Sequence, residues 1–183
     1  MDVLEGKNIS PLPFELLLDR EEISRAVLDL GKRITDDYDQ KELVIVGVLK
    51  GCIIFIADLI RDIKLPIELE FVSASSYREG ATQQEKVETG GTKELNISGK
   101  HVLLVEGVVD TGKTISTLMK ELTKQNPASL EIVTLLDKPG SHRTKLNIKY
   151  KGFTIGNNFV IGYGLDNTQK YRNLPFIGKV VDK

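Results

Sequence analysis

Short runs of almost entirely apolar residues alternate with stretches in which apolar residues recur every three or four positions. The first pattern is typical of parallel strands buried on both faces, and the second of helices with one buried face. Strands are predicted at residues 43–49, 67–74, 102–105, 130–136 and 159–164. Helices are predicted at residues 20–38, 53–63 and 115–122, the first of them capped by Asp19. This alternation predicts an α/β fold with a mainly parallel, twisted sheet flanked by helices.

Three segments fall outside the alternating pattern. Residues 1–15 include two prolines that oppose regular structure, and we predict an extended arm there. Residues 78–93 are polar and contain three glycines, which predicts a long mobile loop. We expect residues 150–155 to form a hairpin with the strand at 159–164.

Composition narrows the class of protein without naming an activity. The 183 residues fit one domain with a sizeable core, and a net charge of -1 excludes a global attraction to nucleic acid or anionic membranes. The longest apolar region, residues 43–60, is interrupted by Lys50 and Asp58 and does not predict a membrane span. A single cysteine and an amino terminus without a signal-peptide pattern indicate a cytoplasmic protein. We therefore expect small-molecule partners, with no nucleic acid and no membrane among them.

The turn between the strand at 102–105 and the helix at 115–122 is the most informative segment. It contains two carboxylates, Glu106 and Asp110, together with two glycines and two threonines. Backbone N–H groups at the start of a helix that follows such a turn bind phosphate. The adjacent carboxylates indicate that the phosphate belongs to a ligand that also carries hydroxyl groups or a metal ion.

Three interpretations of this turn remain open on these residues alone. Gly107, Gly112, Lys113 and Thr114 satisfy the P-loop pattern G-x-x-x-x-G-K-T. The turn is also similar to the ribose-5-phosphate loop of phosphoribosyltransferases, and the glycines alone would simply permit a tight turn. A P-loop would place Asp110 in a loop that wraps a polyphosphate, where an anion is repelled.

Polar residues at the other predicted strand ends discriminate between these interpretations, because ligands of parallel sheets bind at the carboxyl edge. The informative segments are residues 48–51, 76–77, 106–114, 135–138, and 159–166 followed by 170–175. In this order they resemble the 6-oxopurine (hypoxanthine-guanine) phosphoribosyltransferases of the type I family, from about residue 43 to residue 178. A P-loop protein would not need the other four segments.

The resemblance implies a type I phosphoribosyltransferase fold in a single domain over residues 1–183. Its core would span about 40–150, with a small hood formed by about 1–18 and 151–183. The implied activity belongs to purine salvage: Mg²⁺-dependent transfer of 5-phosphoribosyl from phosphoribosyl pyrophosphate to N9 of hypoxanthine or guanine. A homodimer or homotetramer is also implied.

The resemblance further implies a role for individual residues. Those implied for ribose and its 5-phosphate are Glu106, Asp110, Thr111, Gly112, Lys113 and Thr114. Those implied for pyrophosphate are Lys50, Gly51 and Arg172, and for the purine Lys138, Phe159, Val160, Leu165 and Asp166. Asp110 would be the general acid/base, and Glu106 and Asp166 the Mg²⁺ ligands. Ser76 and Tyr77 would begin a lid, and the bond before Lys50 would be cis.

One position departs from the family pattern, which has an aspartate where this chain has Gly107. A catalytically weak regulator that binds phosphoribosyl pyrophosphate therefore remains an alternative, and we expect Gly107→Asp to improve use of that substrate. Cys52 is interpreted as a small packed side chain and not as a nucleophile. His101 and His142 are interpreted as surface residues without a role.

Overall fold

The computed structural model of the chain describes residues 12–79 and 84–181. The helices are α1 (Arg20–Asp37), α2 (Ile53–Asp62) and α3 (Lys113–Thr123). The strands are β1 (Phe14–Leu18), β2 (Leu43–Leu49), β3 (Ile67–Glu79), β4 (Gln84–Gly90), β5 (His101–Val109), β6 (Ser129–Asp137), β7 (Tyr150–Thr154), β8 (Val160–Ile161) and β9 (Ile177–Val180). Within these residues, every helix is too short or too polar to cross a membrane.

Six strands form the main sheet in the order β4-β3-β2-β5-β6-β7, and all neighbours are parallel except β3 and β4. Alternate residues of the central strands face two apolar layers. Ile45 and Leu103 pack with α1 and α2, whereas Val44 and Leu104 pack with α3. The predicted fold class is therefore confirmed, because the continuous apolar runs are central strands covered on both faces.

The start of α1 shows how local sequence sets an element boundary. The side chain of Asp19 accepts a hydrogen bond from the backbone N–H of Glu22 at 2.8 Å, and the side chain of Glu22 accepts one from the N–H of Asp19 at 2.9 Å. This reciprocal capping box satisfies two N–H groups that the helix itself cannot pair. The predicted cap at Asp19 is confirmed.

A second, antiparallel sheet has the order β1-β9-β8 and joins the two ends of the described chain. The predicted hairpin of residues 150–155 with 159–164 is wrong, because β7 pairs with β6 in the main sheet and β8 pairs with β9. The hood boundary proposed near residue 151 therefore cuts through β7. Phe14 and Glu15 lie in β1 and not in an arm, while the rest of the predicted arm lies almost wholly outside the described residues.

The predicted long loop at residues 78–93 is also largely replaced by regular structure. β3 continues to Glu79 and pairs with β4 from Ser73↔Gly90 to Glu79↔Gln84, while residues 80–83 lie outside the described part. The polar sequence lacks the apolar alternation by which a half-buried strand is recognised, so the hairpin was missed. Ser76 and Tyr77, predicted to begin a lid, lie within β3.

Candidate active site

A cleft of about 340 Å³ opens at the carboxyl ends of β2, β3 and β5, next to β6 and the small sheet. Eleven of the predicted site residues line it: Lys50, Gly51, Glu106, Asp110, Thr114, Lys138, Phe159, Val160, Leu165, Asp166 and Arg172. Thr111, Gly112 and Lys113 belong to the adjoining turn that leads into α3. Residues that are remote in sequence therefore meet where the sheet topology places a ligand.

The turn at residues 111–114, here called the phosphate turn because a phosphate is expected to bind there, requires glycine at position 112. Gly112 has φ +79° and directly precedes α3, and a Cβ built on it would lie 2.7 Å from Leu146 Cδ1. Both the left-handed backbone and the close neighbour exclude an ordinary side chain. The first turn of α3 then presents N–H groups that have no partner within the helix, which is the arrangement that binds an anion.

Glu106 lies near the end of β5, with its side chain turned back onto the strand. Its Oε1 accepts a hydrogen bond from the Gly107 N–H at 2.9 Å. Burial raises the pKa of Glu106 to about 8, although the N–H groups of Gly107 and Val108 oppose that shift. A hydroxyl donor or a cation brought by a ligand would favour the charged form of this carboxyl.

Asp110 and Lys138 form an ion pair across the cleft wall. Lys138 Nζ lies 2.8 Å from Asp110 Oδ2, and the lysine side chain is only 4% exposed whereas that of Asp110 is 50% exposed. The backbone also joins the two strand ends, because Lys138 N–H donates to Val109 O at 3.0 Å. A buried ammonium is stable only with such partners. The pair offers a fixed cation and a partly solvated carboxylate to the same ligand edge.

The other side of the cleft carries a second ion pair. Arg172 Nη2 lies 2.8 Å from Asp166 Oδ1, and Arg172 Nη1 donates to Gly164 O at 2.8 Å. Gln169 N–H donates to Asp166 Oδ2 at 2.8 Å, and its Oε1 accepts from Lys50 Nζ at 3.4 Å. The Leu49–Lys50 peptide bond is cis, as the resemblance implied. Gln169 Oε1 also accepts from Arg172 Nη2 at 3.2 Å. Gln169 was not predicted, because no motif marks a residue whose side chain contacts both Lys50 and Arg172.

The expected benefit of Gly107→Asp does not fit the geometry. A Cβ built on Gly107 would lie 2.8 Å from the carbonyl oxygen of Gly51 and 3.2 Å from Leu165 Cδ2. Gly51 backbone therefore fills the space that a side chain would need, and the turn after Lys50 would have to move. Glycine here permits a close approach of two backbone segments.

The predicted purine pocket combines buried and exposed apolar side chains. Val160 and Leu165 are buried, whereas Phe159 is 53% exposed on the cleft wall. A large aromatic face left open beside polar groups is suited to stacking on a planar ring. Packing in the core therefore does not explain why an aromatic residue stands at position 159.

Glu106 and Asp166 fit the chemistry of Mg²⁺ binding only with help from a ligand. Both line the cleft, but the described residues contain no cluster of three or more carboxylate, histidine or cysteine side chains that would hold a metal ion by themselves. Mg²⁺ commonly takes one or two protein carboxylates and completes its shell with water and substrate phosphate oxygens. The donor set matches that arrangement and not a closed protein cage.

Three further side chains test the sequence predictions. Cys52 is fully buried, and burial, assisted by the charge of Glu106, raises the pKa of its thiol to about 12, so the prediction of an inert packed residue is confirmed. His101 is partly buried, with Nδ1 2.7 Å from Ser129 Oγ. The prediction for His142 is wrong, because its side chain is only 17% exposed and its Nε2 lies 2.8 Å from Asp137 Oδ1.

The fold and the cleft agree with a family model that matches most of the chain. Residues 15–168 match the phosphoribosyl transferase domain, and the chain belongs to that family. The P-loop interpretation of the turn is therefore wrong.

Individual relatives narrow the comparison further. The chain is 42% identical over 170 residues to the hypoxanthine phosphoribosyltransferase of Haemophilus influenzae, covering 91% of this chain and 95% of that protein. It is 41% identical over 164 residues to the hypoxanthine-guanine phosphoribosyltransferase of Streptococcus pneumoniae, covering 90% of this chain and 91% of that protein. The crystal structure of a hypoxanthine-guanine phosphoribosyltransferase from Bacillus anthracis superposes with a TM-score of 0.81 at 37% identity, covering 92% of this chain and 99% of that one.

Proposed function

We propose that this chain is a purine-salvage enzyme that transfers 5-phosphoribosyl from phosphoribosyl pyrophosphate to N9 of hypoxanthine or guanine. The products would be the nucleoside monophosphate and pyrophosphate. The similarity to enzymes named for these purines supports the substrate class. The cleft supports the assignment of the individual residues.

The observation that carries the proposal is the Lys138–Asp110 pair at 2.8 Å. In a 6-oxopurine, O6 and N7 are adjacent acceptors on one edge of the ring. Lys138 would donate to O6. Asp110, beside it, would act as general acid/base at N7 and take up the proton that N7 loses when N9 bonds to C1 of the ribose and pyrophosphate leaves. Adenine presents a donor at position 6, so a buried ammonium there would disfavour it strongly.

The remaining residues would hold the sugar phosphate and exclude water. The 5-phosphate would bind the turn of Thr111–Thr114 at the start of α3, and Glu106 would accept from ribose hydroxyls. Lys50 and Arg172 would bind pyrophosphate, with Gln169 holding their side chains near each other. Phe159 would stack on the purine. Closure of the β3–β4 hairpin, which includes Ser76 and Tyr77, would keep water from the reacting sugar.

We propose Mg²⁺ as the cofactor, with Glu106 and Asp166 as its protein ligands. When bound, the ion would neutralise charge on the pyrophosphate leaving group. Asp166 would have to share its carboxylate with Arg172 and the Gln169 N–H, since both already contact it. A bound cation would favour the ionised form of the Glu106 carboxyl, against the burial that raises its pKa.

Gly107 keeps a second candidate function open, that of a weak enzyme or regulator that binds phosphoribosyl pyrophosphate. Gly51 fills the space beside position 107, so residues 106–109 offer a single carboxylate, that of Glu106. A lost hydrogen bond to a charged group corresponds to about 1.5–3 kcal/mol. We therefore expect a high Michaelis constant for phosphoribosyl pyrophosphate.

One assay tests the proposal. The protein is mixed with Mg²⁺, phosphoribosyl pyrophosphate and each of hypoxanthine, guanine, xanthine and adenine, and the monophosphates are separated by chromatography. We expect IMP or GMP and no AMP. Binding of phosphoribosyl pyrophosphate without any product would favour the regulator, and AMP as the main product would contradict the placement of Lys138.

We also propose a homodimer or homotetramer in the cytoplasm. Large apolar side chains are exposed on α2 and β3, namely Ile53, Ile54, Leu69 and Phe71. A second copy that covers them would remove this surface from water. Analytical ultracentrifugation of the native chain and of Phe71→Ser tests this: a monomer in the native sample would contradict it.

A further inference from the structure

Residues 138–146, here called the brace, run from the purine side of the cleft to the phosphate turn. At one end is Lys138, the buried cation of the cleft. Near the other end, the N–H of Arg143 donates to the carbonyl oxygen of Thr111 at 2.9 Å. One short segment therefore joins the purine side of the cleft to the turn before α3.

The brace also packs closely on the phosphate turn. A Cβ built on Gly112 would lie 2.7 Å from Leu146 Cδ1 and 2.9 Å from Thr144 Oγ1. The side chains of Leu146 and Thr144 therefore occupy the space that a side chain at position 112 would need, which places the brace directly beside Gly112. The position of the turn thus depends on where the brace lies.

Little regular structure holds the brace itself. It contains a single 3-10 turn, Pro139–Ser141, and no strand pairing. Its local hydrogen bonds run from Ser141 N–H to Lys138 O at 2.9 Å and from His142 N–H to Pro139 O at 3.3 Å. Contacts with other elements must therefore hold the brace in place.

Asp137 makes one such contact. It is the last residue of β6, it is 3% exposed, and its two oxygens meet partners from different elements. Oδ1 lies 2.8 Å from Nε2 of His142 in the brace, and Oδ2 lies 2.9 Å from Nζ of Lys151 in β7. Only the Lys151 contact also has the angles of a hydrogen bond. The His142 contact is a close, buried pairing of two polar atoms that have no hydrogen-bond partner among the described residues, and it joins the brace to the sheet.

We propose that Asp137 and His142 are positioning residues that hold the brace and thereby couple the purine pocket to the phosphate turn. Neither lines the cleft, so they act through Lys138 and through the backbone of Arg143. The inference rests on the proposed transferase function. A displacement of about 1 Å in a reacting group can cost about 100-fold in rate, so a loose brace would weaken both substrates together.

The test compares His142→Ala with His142→Gln and Lys151→Ala. Glutamine can place its amide nitrogen where the ring Nε2 lies, so His142→Gln should restore the contact. Lys151→Ala is the matched control, because it removes the other partner of the same carboxylate from outside the brace. Michaelis constants for hypoxanthine and phosphoribosyl pyrophosphate, melting temperatures, and calorimetric affinities for IMP are measured on all four proteins.

We expect His142→Ala to raise both Michaelis constants and the dissociation constant for IMP by about tenfold, about the effect of losing one contact with a buried carboxylate. His142→Gln should stay within about threefold and Lys151→Ala within about twofold of the native chain, even if all melt earlier. Equal kinetic changes in His142→Ala and Lys151→Ala would overturn the proposal, and so would a rise for one substrate alone. If the native chain binds IMP without turnover, the transferase function fails, and the IMP affinities alone decide on the brace.

Discussion

Polar clusters lie at both ends of the main sheet, and they are built differently. Where α1 ends and β7 begins, Tyr150 donates to Asp37 Oδ2 at 2.5 Å, and Lys149 Nζ lies 3.2 Å from the same oxygen. Lys149 also lies over the rings of Tyr38 and Tyr150, at 5.1 and 5.0 Å from their centroids. In this cluster, here called the amino-end cluster, the tyrosine and the lysine contact the same carboxylate.

The carboxyl-end cluster pairs its charges around an open cleft. Lys138 with Asp110, and Arg172 with Asp166, leave their outer edges toward a space of about 340 Å³. Both clusters contain lysine–aspartate contacts near 3 Å, so the contact alone does not indicate a function. What differs is the setting: the carboxyl-end pairs line the cleft, whereas Asp37, Lys149 and Tyr150 do not. We infer that the amino-end cluster stabilises the fold and the carboxyl-end cluster binds and converts substrate.

Asp110→Asn should have the greatest kinetic effect. Removal of a general acid/base lowers turnover by about 10²–10⁴. An amide oxygen can still accept from Lys138, but the buried ammonium loses its counter-charge, so the melting temperature should also fall. Turnover within about threefold of the native value would reject the catalytic role.

Lys138→Ala should weaken purine binding more than sugar-phosphate binding. The ammonium is buried beside the purine side of the cleft, so its loss removes a donor that water replaces poorly. We expect the Michaelis constant for hypoxanthine to rise by tenfold or more, about the value of one buried charge-assisted bond. An equal rise for phosphoribosyl pyrophosphate would place Lys138 outside the purine pocket.

Gly107→Ala separates steric fit from charge at the departing position. The added methyl group would meet the Gly51 carbonyl at 2.8 Å and should displace the turn after Lys50. We expect kcat/KM to fall by about tenfold, since overpacking costs about 1–3 kcal/mol. Gly107→Asp should fall at least as far. If the aspartate variant instead exceeds both the native and the alanine enzyme, the turn yields easily and the missing acid was limiting.

Tyr150→Phe should affect stability and leave kinetics unchanged. The hydrogen bond from Tyr150, followed by contacts with Lys149, lowers the pKa of Asp37. Losing it should cost about 1 kcal/mol, or a few degrees of melting temperature. A carboxyl with a lowered folded-state pKa stabilises above its unfolded pKa and loses that contribution as pH falls through the folded one. The gap between native and variant should therefore shrink below about pH 4.

The sequence was sufficient for the central strands and helices, because continuous apolar runs and threefold-to-fourfold periodicity report burial directly. It failed for the hairpin of β3 and β4, whose polar sequence carries no such signal. It also failed for the partner of β7. Periodicity identifies a strand, but the strand it pairs with depends on the packing of the whole domain.

The candidate site divides in the same way. The turn at Glu106–Thr114 was recognisable, since glycine and threonine spacing before a helix reflects local backbone geometry. The links from Gln169 to Lys50 and from His142 to Asp137 were not, because they arise only when the chain is folded. The close approach of Gly51 to Gly107 likewise joins residues far apart in sequence.

The most direct test of the contrast between the two clusters is a matched pair of aspartate substitutions, Asp110→Asn and Asp37→Asn. Turnover with hypoxanthine and melting temperature are measured on both variants beside the native chain. We predict that Asp110→Asn loses about 10² or more in turnover and that Asp37→Asn stays within about twofold. Conversely, Asp37→Asn should melt several degrees lower, because Tyr150 and Lys149 lose their charged partner, about 1–3 kcal/mol. Equal turnover losses in the two variants, or an Asp110→Asn variant that is destabilised but fully active, would contradict the division of roles.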